Sequence, residues 1–245
     1  MKNNPRQCRL PKNRSRRRHS LPSRKRRNRS PSRGGRIVRR VPPEKIVERI
    51  AASGATTAEA RLATTGEVTI AGTALSGLND TDLTKLRRDH IGFVFQFFNL
   101  LPMLNAEENV VLPLSIAGEK PEKAWVDELL DKVGLTERRT HRPSELSGGQ
   151  QQRVAIGRAL VNKPTIIFAD EPTGNLDSRT SGEILELLEQ SVRELDQTIV
   201  MVTHESRAAA IADRVLFLDD GLIVREARGI STHDIVSAME ELGES

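Results

Sequence analysis

Tyrosine is absent from this chain of 245 residues, and aromatic residues make up only 3% of it. All six phenylalanines and Trp125, the single tryptophan, lie beyond residue 90. The first fifty residues therefore have no aromatic side chain and few aliphatic ones with which to form a hydrophobic core. Because like charges also repel one another in this part of the chain, we expect it to be disordered.

Cysteine and long apolar runs are scarce as well. Cys8 is the only cysteine, so an intrachain disulfide is excluded, which fits a reducing compartment. No apolar run approaches the roughly 18–20 residues that a membrane span needs. We therefore expect any connection with a membrane to go through a partner protein.

Positive charge is concentrated at one end of the chain. Residues 1–50 contain 19 Lys and Arg against 2 Asp and Glu, whereas residues 51–245 contain 19 against 31. The overall charge of +5 therefore belongs to the first fifth, and the rest is a mildly acidic, ordinary globular composition. We predict a basic, low-complexity segment over residues 1–65 and a folded domain over residues 66–245.

Apolar strands alternate with amphipathic helices from Gly66 onward. The stretches HIGFVFQ (90–96), TIIFAD (165–170) and TIVMVTH (198–204) have the apolar and β-branched composition of buried strands. Residues 180–195 repeat apolar side chains at the i, i+3, i+4 spacing of a helix with one buried face. This alternation predicts an α/β fold with a parallel sheet covered by helices on both faces.

Two short stretches carry the strongest chemical signals. The strand TIIFAD ends in Asp170 and is followed by Glu171, and adjacent carboxylates at the end of a buried strand are costly unless a metal and a reacting water use them. In LSGGQQQRVAIGRAL (146–160), Ser147 is suited to cap a helix, and two glycines let a ligand approach the backbone. The helix amides and dipole favour an anion such as phosphate there.

With these motifs in this order, residues 66–245 resemble the ATP-binding subunit of ABC transporters. EPTGNLDS (171–178) and GFVFQFFNLLP (92–102) are similar to its lipoprotein-release and macrolide-export branch. The resemblance implies a P-loop-NTPase-like parallel sheet, with a helical signature subdomain over about residues 98–160. It implies ATP and Mg²⁺ as cofactors, and a transmembrane permease and a second ATP-binding subunit as partners. It also implies a cytoplasmic, peripheral location on the inner face of the cell membrane.

The resemblance assigns a role to each matching residue. Asp170 corresponds to the Walker B aspartate that holds Mg²⁺, and Glu171 to the catalytic glutamate that polarises the attacking water. Gln96 corresponds to the Q-loop glutamine that senses Mg²⁺ and the γ-phosphate, and His204 to the switch histidine that contacts the γ-phosphate. The remaining ATP-binding residues are those of the signature, Ser147, Gly148, Gly149 and Gln150, and Asp177 of the D-loop, which lies across the dimer interface.

The aromatic residues that follow Gln96 allow two interpretations. Phe97, Phe98 and Leu100 occupy the segment in which such subunits usually receive a coupling helix from the permease. They are equally well explained as core residues.

The phosphate loop of the family, G-x-x-x-x-G-K-[ST], is missing. The region in which the family has it reads VPPEKIVERIAASGATTAEARLATTGEV (41–68), in which Lys45 is the only lysine and SGATT (53–57) has none. The amides and the lysine of that loop supply most of the contacts to the β- and γ-phosphates. We therefore predict very weak ATP binding and little hydrolysis by the isolated chain.

Three explanations for residues 1–65 remain open. The segment is about as long as the part of the family that it replaces, and our leading hypothesis is that it is read out of frame relative to an ancestral ATPase gene. It could instead be a nucleic-acid-binding arm, for which its charge is suited but its lack of aromatics is not. It could also be an organelle transit peptide, although it has no apolar face.

The second of these explanations would make the chain a soluble ABC-type ATPase with a basic, nucleic-acid-binding tail. Soluble relatives in DNA repair or translation usually carry two ATPase units or long insertions, and neither is visible in this sequence. We therefore prefer the transporter subunit and do not expect nucleic acid as a partner.

Overall fold

A computed structural model of the chain describes residues 36–38 (the backbone only), 68–219 and 222–243. The disorder predicted for the first fifty residues and the predictions for the segment 1–65 concern residues that lie almost entirely outside this part. The strands are β1 (Arg36–Val38), β2 (Thr69–Ile70), β3 (Thr73–Ala74), β4 (Ile91–Phe95), β5 (Ile166–Asp170), β6 (Thr198–Val202), β7 (Arg214–Asp219) and β8 (Leu222–Ala227). The helices are α1 (Asp80–His90), α2 (Ala106–Ala117), α3 (Lys123–Lys132), α4 (Gly148–Leu160), α5 (Ser178–Glu194), α6 (Ser206–Ala210) and α7 (Thr232–Gly243).

The main sheet has six strands in the order β4-β5-β6-β1-β7-β8, and β2 and β3 form a separate hairpin. Strands β4, β5 and β6 are parallel to one another. Strand β8 returns antiparallel along β7. The predicted α/β class is confirmed, because helices connect the parallel strands as the alternation in the sequence indicated.

Strand β1 runs against the direction of its neighbours. Arg36 is paired with Val202 of β6 and Val38 with Val200, and β1 is also antiparallel to β7. Strands β6 and β7 therefore run in the same direction, with β1 reversed between them. Val38 consequently lies toward the sheet edge opposite to the one where β4, β5 and β6 end.

Helices cover both faces of the sheet, as predicted. Alternate residues of the strands point to opposite faces because the side-chain period of a strand is two. One face packs against α4 and α5 and contains most of the core, and the other packs against α1 and β2. The first face includes Val94, Ile167, Ala169, Ile199 and Met201, and the second includes Ile166, Val200, Leu86 and Ile70.

All elements described between β4 and β5 are helical. Helix α2 begins with a capping box, in which Asn105 accepts a hydrogen bond from the amide of Glu108 and the Glu108 side chain accepts one from the amide of Asn105. It ends at Gly118, which has a left-handed φ of 75° that glycine adopts without strain. These signals make α2 a defined unit, which packs on α4.

Helix α5 has the amphipathic stripe that the sequence predicted over residues 180–195. Ile184, Leu187 and Leu188 are buried. The helix begins at Ser178, two residues before the predicted start, because Asp177 caps it with its side chain. Among the helices of the described part of the chain, none combines the length and hydropathy needed to cross a membrane.

Candidate functional site

Four predicted residues lie at the carboxyl ends of three neighbouring parallel strands. The last residues of β4, β5 and β6 are level with one another in the sheet. Asp170 is the last residue of β5, and Gln96 and Glu171 directly follow β4 and β5. His204 is the second residue after β6. Ligands in open parallel sheets bind at this edge, so the fold brings these four residues to one candidate site.

The Glu171 carboxylate is held by the residues that follow β6. Its Oε1 accepts a hydrogen bond from the backbone amide of His204 at 3.0 Å and lies 2.8 Å from the His204 Nδ1. Its Oε2 accepts one from the Thr203 hydroxyl at 3.1 Å. The Glu171 side chain is 20% exposed and that of His204 68%. The carboxylate is therefore fixed in orientation while the imidazole faces solvent.

Asp170 is half-buried next to this pair. Among the residues that the structure describes, none forms a hydrogen bond or ion pair with its carboxylate. Mg²⁺ in nucleotide sites is commonly held by one or two carboxylates together with phosphates and water, and Asp170 fits such a role. No group of three or more His, Cys, Asp and Glu suited to a metal occurs in the described ranges. A metal at Asp170 would therefore need further ligands from a nucleotide or from water.

Gln96 is linked to the loop that follows β5. The Asn175 side chain donates a hydrogen bond to the Gln96 carbonyl at 2.9 Å, and the Gln96 side-chain amide donates one back to Asn175 Oδ1 at 3.3 Å. Gly174 is tightly packed there as well, because a Cβ on it would lie 2.8 Å from Gln96 Nε2. These contacts place the Gln96 side chain beside the Glu171 loop.

The predicted signature residues form the start of α4. The Ser147 hydroxyl accepts a hydrogen bond from the Gln150 amide at 3.3 Å, and the Gln150 side chain accepts one from the Ser147 amide at 2.9 Å. This is a capping box, and Ser147 remains exposed. The first amides of a helix have no partner within the helix, so this exposed end is suited to an anion.

The two signature glycines are in close contact with the segment around Asp177. A Cβ on Gly149 would lie 2.3 Å from Thr180 Cγ2, and one on Gly148 would lie 3.3 Å from Leu176 Cδ2. Asp177 caps α5 by accepting hydrogen bonds from the Thr180 hydroxyl at 2.6 Å and amide at 3.0 Å. These hydrogen bonds, the hydroxyl first, lower the pKa of the exposed Asp177 carboxyl. The signature and the D-loop thus meet within one chain.

Phe97, Phe98 and Leu100, interpreted above either as contacts for a permease or as core residues, differ in their environments. The Phe97 side chain is 71% exposed. Leu100 packs against the main core from a partly buried position, and Phe98 is half-buried. The core interpretation therefore fits Leu100, and Phe97 is available for contact with another molecule.

Four polar residues that support this site were not predicted from the sequence. Asn175 and Thr203 contact Gln96 and Glu171, as described above. Gln152, fully buried in α4, donates to the Pro172 carbonyl at 2.7 Å, and Arg158 of the same helix donates to the loop after β4. In the sequence, each of these residues is only a polar residue on the buried side of a helix or beside a motif. Such residues are too common for the sequence alone to show what they contact.

A family model described as ABC transporter matches residues 54–174. The chain is 50% identical to the lipoprotein-releasing system ATP-binding protein LolD of Novosphingobium aromaticivorans. The alignment of 160 residues covers 64% of this chain and 71% of that protein. The chain is also 47% identical to the macrolide export ATP-binding/permease protein MacB of Rhodopseudomonas palustris. That alignment of 165 residues covers 66% of this chain and 25% of that protein.

Solved structures agree with these sequence matches. A dimeric structure of an ATP-binding cassette of Methanocaldococcus jannaschii, in a post-hydrolysis state bound to ADP and Pi, superposes with a TM-score of 0.59 at 45% identity. The superposition covers 69% of this chain and 75% of that one. The similarity is therefore found in both the sequence and the three-dimensional structure.

Proposed function

Because this chain belongs to the ATP-binding proteins of ABC transporters, in the branch of the lipoprotein-releasing and macrolide-export systems, we propose that it serves a transporter that exports its substrate. ATP hydrolysis is the activity of this family. The proposal concerns the direction of transport, the residues that act and the part of the reaction that this chain can carry out. A lipoprotein, a macrolide or a peptide would suit such an exporter.

The observation that best supports the proposed catalytic residues is the alignment of three strand ends. Gln96, Glu171 and His204 leave the sheet at one edge, and Asp170 ends the central strand. A water and a phosphoryl group at this edge would be within reach of a base and an imidazole. This arrangement is suited to positioning and electrostatic stabilisation, which dominate phosphoryl transfer.

Glu171 is the proposed general base. Its carboxylate orients a water and accepts its proton, and Thr203 keeps the carboxylate in place through the bond to Oε2. His204 now lies against Glu171 Oε1. We infer that its imidazole turns toward the phosphate when a nucleotide enters, which is open to it because its side chain is largely exposed.

ATP and Mg²⁺ are the proposed cofactors. Asp170 would hold the metal, with Gln96 as a second contact. When bound, the metal would neutralise phosphate charge and thereby supply electrostatic stabilisation. The residues of this chain contribute the carboxylates, the imidazole and the helix amides around it.

The chain is proposed to act as the donating half of an ATP-binding pair. In a dimer, the exposed start of α4 would approach a nucleotide held by the phosphate loop of a second ATP-binding subunit, with Ser147, Gly148, Gly149 and Gln150 facing the phosphates. Asp177 would lie at the dimer interface. This chain has no recognisable phosphate loop of its own, so its own receiving half would bind nucleotide weakly.

A permease is the proposed membrane partner. Phe97, Met103 and Ile116 are exposed by 71%, 66% and 76%, and they belong to the loop after β4 and to α2. If these side chains form one patch, a partner protein would bury it, because contiguous exposed apolar surface is typical of a protein-binding site. Binding there would keep the chain on the inner face of the cell membrane.

Co-purification tests the proposed function. The chain is expressed with a tag in the cells that encode it, and the proteins that it retains are identified by mass spectrometry. We expect a permease and an intact ATP-binding subunit to be retained. The Phe97→Asp variant should retain less of the permease. Recovery of ribosomes or DNA instead, abolished by deletion of residues 1–32, would contradict the proposal and favour a soluble ATPase with a basic tail.

The gene sequence tests the proposed origin of residues 1–65. The DNA that encodes them is translated in the other two frames. We expect one frame to encode a glycine-rich loop that ends in Lys-Ser or Lys-Thr. If neither frame does so, the segment did not arise by a shift of frame.

A further inference from the structure

Arg158 is a half-buried cation of α4 that has no part in the chemistry described above. No carboxylate pairs with it among the residues that the structure describes, although buried arginine usually has such a partner. Burial lowers the pKa of its guanidinium. A charge that is kept partly away from water without a counter-ion needs compensating hydrogen bonds, and Arg158 obtains them from backbone carbonyls.

Within the described part of the chain, Arg158 donates two hydrogen bonds, both to the loop that follows β4. Its Nη1 donates to the Asn99 carbonyl at 2.6 Å, and its Nη2 donates to the Phe98 carbonyl at 2.8 Å. These two carbonyls belong to the residues directly after the exposed Phe97. The planar guanidinium can reach both at once because it presents its donors in a rigid fork.

The loop has an unusual backbone at this point. Phe98 and Asn99 have φ angles of 38° and 50°, a left-handed region that residues other than glycine seldom adopt. The Asn99 amide also donates to the Phe97 carbonyl. Strained backbone of this kind persists only where surrounding groups hold it, and Arg158 donates a hydrogen bond to each of these two residues.

The ends of the same loop are held by other elements. Asn175 donates to the Gln96 carbonyl at 2.9 Å. Asn109 of α2, fully buried, accepts from the Leu101 amide at 2.8 Å and donates to the Leu101 carbonyl at 3.2 Å. Arg158 therefore holds the middle of a loop whose two ends are already bound, and its two hydrogen bonds connect this loop to α4.

We propose that Arg158 is a positioning residue that locks the loop 96–101 in the shape that exposes Phe97, and that joins this loop to the signature helix α4. Helix α4 begins directly after Ser147, so Arg158 links the residues after Phe97 to the helix that carries the signature, in addition to the Phe98 ring, which would lie 3.8 Å from a Cβ on Gly148. The identity of the partner at Phe97 rests on the proposed function. The locking of the loop does not.

Hydrogen exchange of the full chain tests this role. The variants are Arg158→Ala, Arg158→Lys and Arg153→Ala, the last as a matched control, because Arg153 also lies on α4 and donates to a carbonyl, that of Val133 at 3.2 Å. We expect Arg158→Ala to speed the exchange of the amides in residues 97–101 at least about tenfold. In Arg158→Lys, exchange of these amides should be faster than in the unaltered chain and slower than in Arg158→Ala, since a lysine forms a single point contact.

A chemical rescue separates positioning from general stability. Guanidinium ion, at concentrations far below those that unfold proteins, should slow the exchange of this loop again in Arg158→Ala and have no such effect in Arg153→Ala. Unchanged exchange in Arg158→Ala, or equally fast loop exchange in Arg153→Ala, would overturn the proposal. This measurement needs neither nucleotide nor permease, so a failure to retain a permease would count against the proposed function alone.

Discussion

At the scale of single residues, Glu171 combines backbone strain with tight hydrogen bonding. Its φ is 46°, a left-handed value at the end of a strand, where an extended one would continue the sheet. Its amide still donates to the Val202 carbonyl at 2.8 Å, and both carboxylate oxygens accept hydrogen bonds. Strain held by such contacts is typical of functional sites, and here it turns the carboxylate toward His204.

The first prediction concerns this carboxylate. Glu171→Gln should abolish whatever turnover of ATP the isolated chain has, measured as phosphate release with Mg²⁺, because an amide cannot accept the proton of the attacking water. Glu186→Gln on the exposed side of α5 is the matched control and should leave turnover unchanged. Turnover that exceeds the background without protein and is equal in the Glu171→Gln variant and the unaltered chain would remove Glu171 from its proposed role.

The second prediction concerns Gly149 in the signature. Gly149→Ala should lower the free energy of unfolding by about 1–3 kcal/mol, because the added methyl would lie 2.3 Å from Thr180 Cγ2 and the helix pair must move apart. Urea denaturation measures this loss. Gly182→Ala in α5 has open space around its Cβ, and it should be neutral or stabilising by up to about 1 kcal/mol.

A double variant identifies the cause of the loss at Gly149. Thr180→Ser removes the methyl group and keeps the hydroxyl that donates to Asp177 at 2.6 Å. Combined with Gly149→Ala, it should recover most of the lost stability. No recovery would mean that Gly149 is needed for some other reason than its contact with Thr180.

At the scale of elements, the residues that cap two helices are also residues with a predicted function. Ser147 caps α4 and Asp177 caps α5, and each also belongs to a predicted nucleotide contact. A capping side chain places its oxygen beside free amides at a positive helix end. The same geometry therefore stabilises the helix in the free chain and is suited to a phosphate or a dimer partner in a complex.

The third prediction is the pH dependence of the α5 cap. The hydrogen bonds from Thr180 depress the pKa of Asp177 from its ordinary value of 3.8. A carboxyl with a depressed pKa in the folded state contributes stability above its unfolded pKa, and this contribution is lost as the pH falls through the folded pKa. The difference in unfolding free energy between the unaltered chain and Asp177→Asn should therefore be constant at neutral pH and disappear below pH 3.8.

Denaturation curves between neutral pH and strongly acidic pH measure this difference. Asp213→Asn provides a comparison outside helix α5. If the difference for Asp177→Asn stayed the same through the acidic range, the charge of Asp177 would have no part in capping.

At the scale of the whole molecule, the residues proposed to contact ATP differ in how well the described domain supports them. The signature end of α4 and the acid pair of β5 are defined by several hydrogen bonds. Strand β1, which lies between β6 and β7, is antiparallel to both, so Val38 lies toward the edge opposite the acid pair. A loop directly after β1 would begin far from the phosphates that a phosphate loop must contact.

The fourth prediction follows from this asymmetry. In a complex of this chain with an intact ATP-binding subunit, Ser147→Arg on this chain should lower turnover at least about 100-fold, because it places bulk and charge on the amides that face the nucleotide of the partner. Ser76→Arg, at an exposed site, should leave turnover unchanged. Normal turnover with Ser147→Arg would mean that this signature takes no part in hydrolysis.

The α/β class, the strands that carry the acid pair, the amphipathic stripe of α5 and the Ser147 cap could all be predicted from the sequence. Each depends on residues a few positions apart, because strand and helix periods and helix caps are local properties. The roles of Asp170, Glu171 and Ser147 were assigned through the order of motifs along the chain. They remain predictions about function.

Only the tertiary structure decided which distant residues support those motifs. Asn175 contacts Gln96 across 79 positions, and Arg158 reaches Phe98 across 60. The direction of β1 and the bond from Thr203 to Glu171 were equally out of reach of sequence patterns. The physical reason is that such contacts depend on how elements pack in space, and packing between distant segments has no period that a single sequence reveals.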